Sequence, residues 1–237
     1  MHCLDLGANI GYYSLLMASL VGPYGKVTCV EPDTRNFRIL EENIALNGFQ
    51  GRVSLMACAV TDETGTAHLD TSGPTNLNVI HAPDGASTPA YQRMAQVPSK
   101  DLNTLGEEIR PVSIVRMDVE GSEALILGRG GRGYLEKLSK GTLIYMEVHP
   151  KAYKERYPEF DDTLRRLAEI GFRFKVLVSS GPTPSADFED KNLEAVELFS
   201  DGPFQRYTYL DVPHEHAIQL ITTLPKAVRY AILEKRY

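Results

Sequence analysis

Residues 4–11 read Leu4-Asp5-Leu6-Gly7-Ala8-Asn9-Ile10-Gly11, an apolar run that closes on an acid and opens into a turn bounded by two glycines. Met1 to Leu6 reads as a strand, and Gly11 to Leu20 carries Tyr13, Leu16, Met17 and Leu20 at helical spacing, so the turn joins a strand to a helix. Gly7 and Gly11 permit a tight turn and a close approach of the backbone to a ligand, which then meets the N–H groups at the helix start. A dinucleotide fingerprint needs glycine at its first, third and sixth positions, and counted from Gly7 this chain has Asn9 and Tyr12 there. A nicotinamide cofactor is therefore disfavoured.

The acids around this turn narrow the ligand. Asp5 closes the strand before the turn, which suits an ammonium group more than a pyrophosphate. Glu31, in Val30-Glu31-Pro32-Asp33, follows the glycines by about 20 residues, where an acid in such folds takes ribose hydroxyls. A cationic, ribose-bearing ligand answers both, and S-adenosylmethionine has an amino-acid end, a sulfonium and a ribose.

Further strands are expected at Lys26 to Glu31, Val53 to Ala59, Ser113 to Asp118 and Thr142 to Val148, with a helix over Thr34 to Asn47 carrying Phe37, Leu40, Ile44 and Leu46 and stopped by Asn47-Gly48. This alternation predicts an α/β fold with a parallel sheet flanked by helices. Asp62 to Arg93 breaks the rhythm and is expected to form a small hairpin and loop, with short runs at Ala67 to Leu69 and Asn76 to Ile80. Beyond Pro150 the pattern gives a helix at Asp161 to Ile170, a strand at Phe172 to Val178, a polar loop at Ser179 to Asn192 and a strand at Tyr207 to Val212. Leu224 to Tyr237 reads as a basic terminal helix whose Lys226, Arg229, Lys235 and Arg236 form a solvated face.

The 237 residues are 43% hydrophobic and 24% charged, an ordinary globular composition that one domain over 1–237 accommodates. Lys and Arg total 25 against 31 Asp and Glu, and the formal charge of -6 argues against nucleic-acid partners. Cys3, Cys29 and Cys58 are too few for a disulfide framework, and each lies in an apolar run. With no apolar stretch of membrane length and no leader pattern, the expectation is a reduced, cytoplasmic protein without membrane association.

Several segments together resemble the FkbM-type S-adenosylmethionine-dependent methyltransferases: Asp5 to Ser14, Val30-Glu31-Pro32, Asn43 to Gly48, Ala59-Val60 with Gly65, Met117-Asp118-Val119-Glu120-Gly121-Ser122-Glu123, and Glu147-Val148-His149-Pro150. The resemblance implies a Rossmann-like, seven-stranded class I methyltransferase sheet with helices on both faces. It also implies that Asp5, Gly7, Ala8, Asn9 and Gly11 line the methionine end of the cofactor with Tyr13 as pocket wall, that Glu31 binds the ribose, that Pro32 and Cys58-Ala59 flank the adenine, and that Asp118 closes the site near the methyl. Family members carry residues ahead of the glycine-loop strand, whereas here that strand starts at Met1. This reads as a missing cap and points to a homo-oligomer in which a second subunit covers the pocket.

Methyl transfer to a hydroxyl demands alignment and a group that takes the proton. Period-two spacing places Asp118 with Glu120, and Glu147 with His149, on one face of each strand at the carboxyl edge. His149 is the expected base by its ordinary pKa, with Asp118 and Glu147 beside it. His214 and His216 lack a third ligand at metal spacing, and no metal is expected. The resulting expectation is O-methylation of a small-molecule or sugar hydroxyl. Its alternatives are an RNA or protein methyltransferase, and a catalytically inactive S-adenosylmethionine-binding partner subunit.

Overall fold

A computed structural model describes residues 1–72, 79–81, 94–179, 186–201, 204–224 and 228–237. The chain divides into two compact units, Met1–Leu138 and Ser139–Tyr237.

In the first unit β1 (His2–Leu6) leads through α1 (Tyr12–Leu20) to β2 (Lys26–Val30), and α2 (Thr34–Leu46) leads on to β3 (Val53–Met56). The chain then builds β4 (Ala59–Thr61), β5 (Gly65–Asp70), β6 (Val79–His81), β7 (Ala95–Asp101) and α3 (Leu102–Glu108) before β8 (Ile114–Met117), α4 (Glu123–Leu127) and α5 (Arg132–Lys137). β1 pairs in parallel with both β2 and β8, and β2 with β3. Leu6 is level with Val30 and with Met117, so three strands finish side by side at one carboxyl edge. Ligands of parallel sheets bind at such an edge.

All five residues of β1 are buried, as a central parallel strand requires. α1 rests on this sheet through the small side chains of Ser14 and Ala18. Leu16 and Leu20, expected inward, are instead 47% and 69% exposed, because the close approach permitted by Ser14 and Ala18 decides which face turns in. In α2 the Asp33 carboxylate caps the start by accepting the Arg35 N–H at 2.8 Å, and Leu40 and Ile44 join Cys3, Ala18, Val27 and Cys29 in one core. Leu46 lies outside that core. Asn47-Gly48 does end the helix, with Gly48 at φ +70°.

The single strand expected over Val53 to Ala59 is two. β3 stays with β2, whereas β4 pairs with β7 in a second, small sheet of order β4-β7-β5-β6. Ala59, Ala67, Leu69, Ile80 and Val97 form this sheet's own apolar core, which is what draws the chain away. The expected hairpin is present as antiparallel β5 and β6, while residues 73–78 and 82–93 of that segment lie outside those described.

The second unit runs β9 (Leu143–Glu147), α6 (Pro150–Arg156), α7 (Phe160–Glu169), β10 (Phe172–Ser179), α8 (Ala186–Glu189), β11 (Glu197–Asp201), β12 (Phe204–Leu210), α9 (His214–Thr222) and β13 (Val228–Lys235). These strands pair antiparallel in the order β11-β12-β10-β13-β9. The expected loop at Ser179 to Asn192 begins with the last residue of β10 and contains α8, and its residues 180–185 lie outside those described.

The terminal helix expected over Leu224 to Tyr237 is a strand. β13 fits between β9 and β10, where Val228, Ala231 and Leu233 are buried, and a ladder on both sides overrides a helical pattern. Of the basic residues expected on a solvated face, Lys226 lies outside the described residues, Arg236 just past the strand is exposed, and Lys235 is not solvated. Lys235 is buried, donates to the Ile170 carbonyl and lies over the Phe172 ring, while Arg229 pairs with Glu147 and Arg236 with Asp211. Among the described residues no helix is long and apolar enough to cross a membrane.

Candidate active site

The turn after β1 is held by its backbone. Gly7 and Ala8 both donate N–H to the Val30 carbonyl at 3.0 Å. Gly7 has φ +78°, and a Cβ on it would stand 2.0 Å from the carbonyl oxygen of Asp118, so the turn meets the end of β8 through the space where a side chain would be. Asn9 continues the left-handed backbone at φ +50°, and its Oδ1 accepts the Ile10 N–H at 2.7 Å, the local bond that makes this conformation tolerable for asparagine.

This turn, Glu31 and Pro32 after β2, and Asp118 to Glu120 after β8 surround a cleft of about 290 Å³. Gly7, Ala8, Asn9, Tyr13, Glu31, Pro32 and Asp118 all line it, so seven residues singled out in the sequence meet there. Glu31 is buried and accepts the Asn9 N–H at 2.8 Å on one oxygen and the Asp33 N–H at 2.9 Å on the other. Burial pushes its carboxyl above the usual range, and those two donors with Asn36 pull it back.

Asp5, Gly11, Cys58 and Ala59 do not line the cleft. Asp5 is wholly buried, its carboxylate taken by the Ser14 hydroxyl, which donates at 2.6 Å, and by Arg116 Nη1 at 3.2 Å. The expectation that Asp5 faces an ammonium group is therefore corrected, because that carboxylate is spent inside the protein. Burial raises its pKa, and Arg116 and Ser14 oppose the rise. Gly11 serves packing, since a Cβ on it would lie 2.7 Å from Leu40 Cδ1. Cys58 and Ala59 are buried at the start of the second sheet, and burial raises the Cys58 thiol.

Arg116 is the residue that the sequence reading missed. Its guanidinium reaches Asp5, donates to the Gly7 carbonyl at 3.0 Å and to Asp118 Oδ2 at 2.7 Å, and lies 4.5 Å from the Tyr13 ring centroid. A sequence signal existed: an arginine stands inside the apolar run Ile114-Val115-Arg116-Met117, level with Asp5 on the neighbouring strand. Buried charges are paired, so the two belonged together.

Asp118 and Glu120 both reach the cleft, although not by strand alternation. β8 stops at Met117, and Glu120 takes φ +53° in a turn that Glu123 braces by accepting the Val119 N–H at 3.0 Å. In the second unit Glu147 ends β9, is buried and is ion-paired with Arg229, and His149 is the N-cap residue of α6. His214 packs in that unit, with Nε2 2.8 Å from the Leu164 carbonyl oxygen and its ring against Phe174.

A family model, the methyltransferase FkbM domain, matches residues 5–174. The chain belongs to the FkbM methyltransferase family. This FkbM domain is also similar to the crystal structure of methyltransferase FkbM from Methylobacillus flagellatus KT, with a TM-score of 0.51 and 15% identity over 88% of this chain and 43% of that one. The present chain thus spans less than half of that protein's length. Two other solved structures it matches are precorrin-6y C5,15-methyltransferase from Geobacter metallireducens GS-15 (TM-score 0.46, 12% identity, 100% of this chain and 80% of that one) and Aeropyrum pernix fibrillarin with natively bound S-adenosyl-L-methionine (0.39, 13%, 88% and 66%). No curated protein matches the chain significantly.

The fold is that of the Methylobacillus flagellatus FkbM methyltransferase, a Rossmann-like α/β sheet. In the first unit the large sheet runs β3-β2-β1-β8, and in the second unit the strands run β9-β13-β10-β12-β11.

Proposed function

We propose that this FkbM domain binds S-adenosylmethionine in the cleft of its first unit and transfers the methyl group to a hydroxyl oxygen of a small molecule or sugar. The observation that carries the reading is Glu31. A buried carboxylate lines the cleft against the glycine turn, with its orientation set by two backbone N–H donors. A carboxylate offers about four lone-pair positions, and the Asn9 and Asp33 N–H groups and the Asn36 side chain take three of them, so acceptor capacity remains for a ribose hydroxyl. Gly7 and Ala8 present bare backbone, and Ile10 and Tyr12 supply apolar rim. The cleft is near the lower end of the ~300–1,000 Å³ range of small-molecule sites.

When bound, the cofactor supplies an electrophilic methyl on a sulfonium. Asp118, at the cleft wall, places a negative charge toward the cationic end of that ligand. Tyr13 and Val119 add apolar lining. A hydroxyl acceptor must also lose its proton. Of the three acid–base residues expected from the sequence, Asp118 lines this cleft, and His149 and Glu147 belong to the second unit. A small acceptor agrees with the charge of -6, which gives no field for a nucleic acid.

Thermal unfolding with S-adenosylmethionine, S-adenosylhomocysteine or NAD tests the reading. A ligand bound only by the native state at ~100 times its dissociation constant stabilises by about 2.7 kcal/mol, which for a chain of this size raises Tm by about 5–10 °C. A rise with the first two ligands and none with NAD is expected. No rise with either methyl-cycle ligand refutes it.

A further inference from the structure

Arg116 takes part in more interactions than packing explains. It is 6% exposed, in a strand otherwise built of apolar side chains, and an unpaired cation there would be costly. Its two terminal nitrogens serve different acids on either side of the cleft floor. Nη1 faces Asp5, whose side chain is 0% exposed, and Nη2 faces Asp118, whose side chain is 25% exposed and lines the cleft. The guanidinium carbon lies 4.5 Å from the Tyr13 ring centroid, and Nη1 also donates to the Gly7 carbonyl. One group thus touches the buried acid, the exposed acid, the glycine turn and the cleft wall.

We propose that Arg116 is the positioning residue of this cleft: by neutralising Asp5 beneath the floor it is fixed in place, and from there it holds the Asp118 carboxylate turned into the cleft to receive the cationic end of the ligand. This rests on the cofactor reading above. The charge sum supports it. Arg116 pairs with Asp5 inside the protein and with Asp118 at the cleft, so the trio holds two carboxyl groups to one guanidinium and presents the partly exposed one, Asp118, to a ligand. A cationic ligand meets that charge rather than the arginine. Lysine is not equivalent, because an ammonium is a single point charge without the planar fork whose two terminal nitrogens reach separate carboxylates here.

Removing Arg116 alone strands Asp5 as a buried charge, and that variant is prone to unfold. The test therefore uses the Asp5→Asn background, in which the side chain still accepts the Ser14 hydroxyl and needs no cation. Binding of S-adenosylmethionine is measured by calorimetry for wild type, D118N, D5N, D5N/R116M, D5N/R116M/D118N and D5N/R116K. Loss of one charge-assisted contact weakens binding about tenfold or more, which is expected for D118N and equally for D5N/R116M. If Arg116 acts through Asp118 the two losses are not independent, so D118N costs less than about twofold once Arg116 is gone. In D5N/R116K the lysine has only Asp118 to serve, and binding returns to within about threefold of D5N.

A D118N penalty of the same size with and without Arg116, or D5N/R116M binding as D5N does, overturns the proposal while leaving the cofactor reading intact. Wild type that binds neither S-adenosylmethionine nor S-adenosylhomocysteine overturns both.

Discussion

Gly7→Ala isolates the contact on which the cleft floor depends. The added Cβ would lie 2.0 Å from the Asp118 carbonyl oxygen and 3.0 Å from its carbon, and neither is a side chain that can rotate away. The residue also sits at φ +78°. Gly22 and Gly48 are controls supplied by the same chain, since they have φ +76° and +70° with nothing within 4 Å of the added atom. Gly22→Ala and Gly48→Ala carry the conformational term alone, about 1–2 kcal/mol. Gly7→Ala adds overpacking against backbone, about 1–3 kcal/mol more, for a total of about 2–5 kcal/mol. Urea unfolding of the three variants measures the difference. Affinity for S-adenosylhomocysteine reads the second consequence, because the loop between β1 and α1 must lift from β8 and carry Asn9 away from Glu31. If Gly7→Ala loses no more stability than Gly22→Ala, within about 0.5 kcal/mol, the close approach is not what makes glycine necessary.

Three further outcomes are expected. Glu31→Gln turns an amide donor toward one of two backbone N–H groups, and calorimetry should show S-adenosylhomocysteine binding weakened about tenfold or more together with a stability loss of about 1–3 kcal/mol; unchanged affinity removes Glu31 from the site. Burial pushes the Cys3 and Cys29 thiols from 9.0 to about 11 and about 12, so the unfolded chain ionises first and their contribution, complete below pH 9, is lost as pH rises through 11 and 12. At pH 10 each has lost about 1.4 kcal/mol, and Cys29→Ala should therefore show a shallower decline in urea midpoint between pH 8 and pH 10 than wild type; equal declines refute this. Leu40→Ala empties a fully buried position against Gly11 and should cost about 2–5 kcal/mol by the same unfolding assay, a loss under 1 kcal/mol counting against the packing described.

What was legible in the sequence was whatever the chain states locally. The strand, glycine turn and helix at residues 1–20, the acid after β2 and the stop at Asn47-Gly48 depend on φ preferences and short-range periodicity, and all stand as read. Seven cleft residues came from the same source, because the ends of neighbouring parallel strands converge whatever lies between them. Tertiary structure decided the rest. Pairing on both sides made a strand of residues 228–235, a separate apolar core drew Ala59 out of the run that begins at Val53, and the close packing of Ser14 and Ala18 turned Leu16 and Leu20 outward. The partners of Asp5 were equally hidden, since Arg116 lies 111 residues away and meets it only when β1 and β8 align. Local preference acts over one turn or one pair of residues, whereas a buried charge must find its opposite wherever the fold brings one, and that cost of desolvation is paired off only in three dimensions.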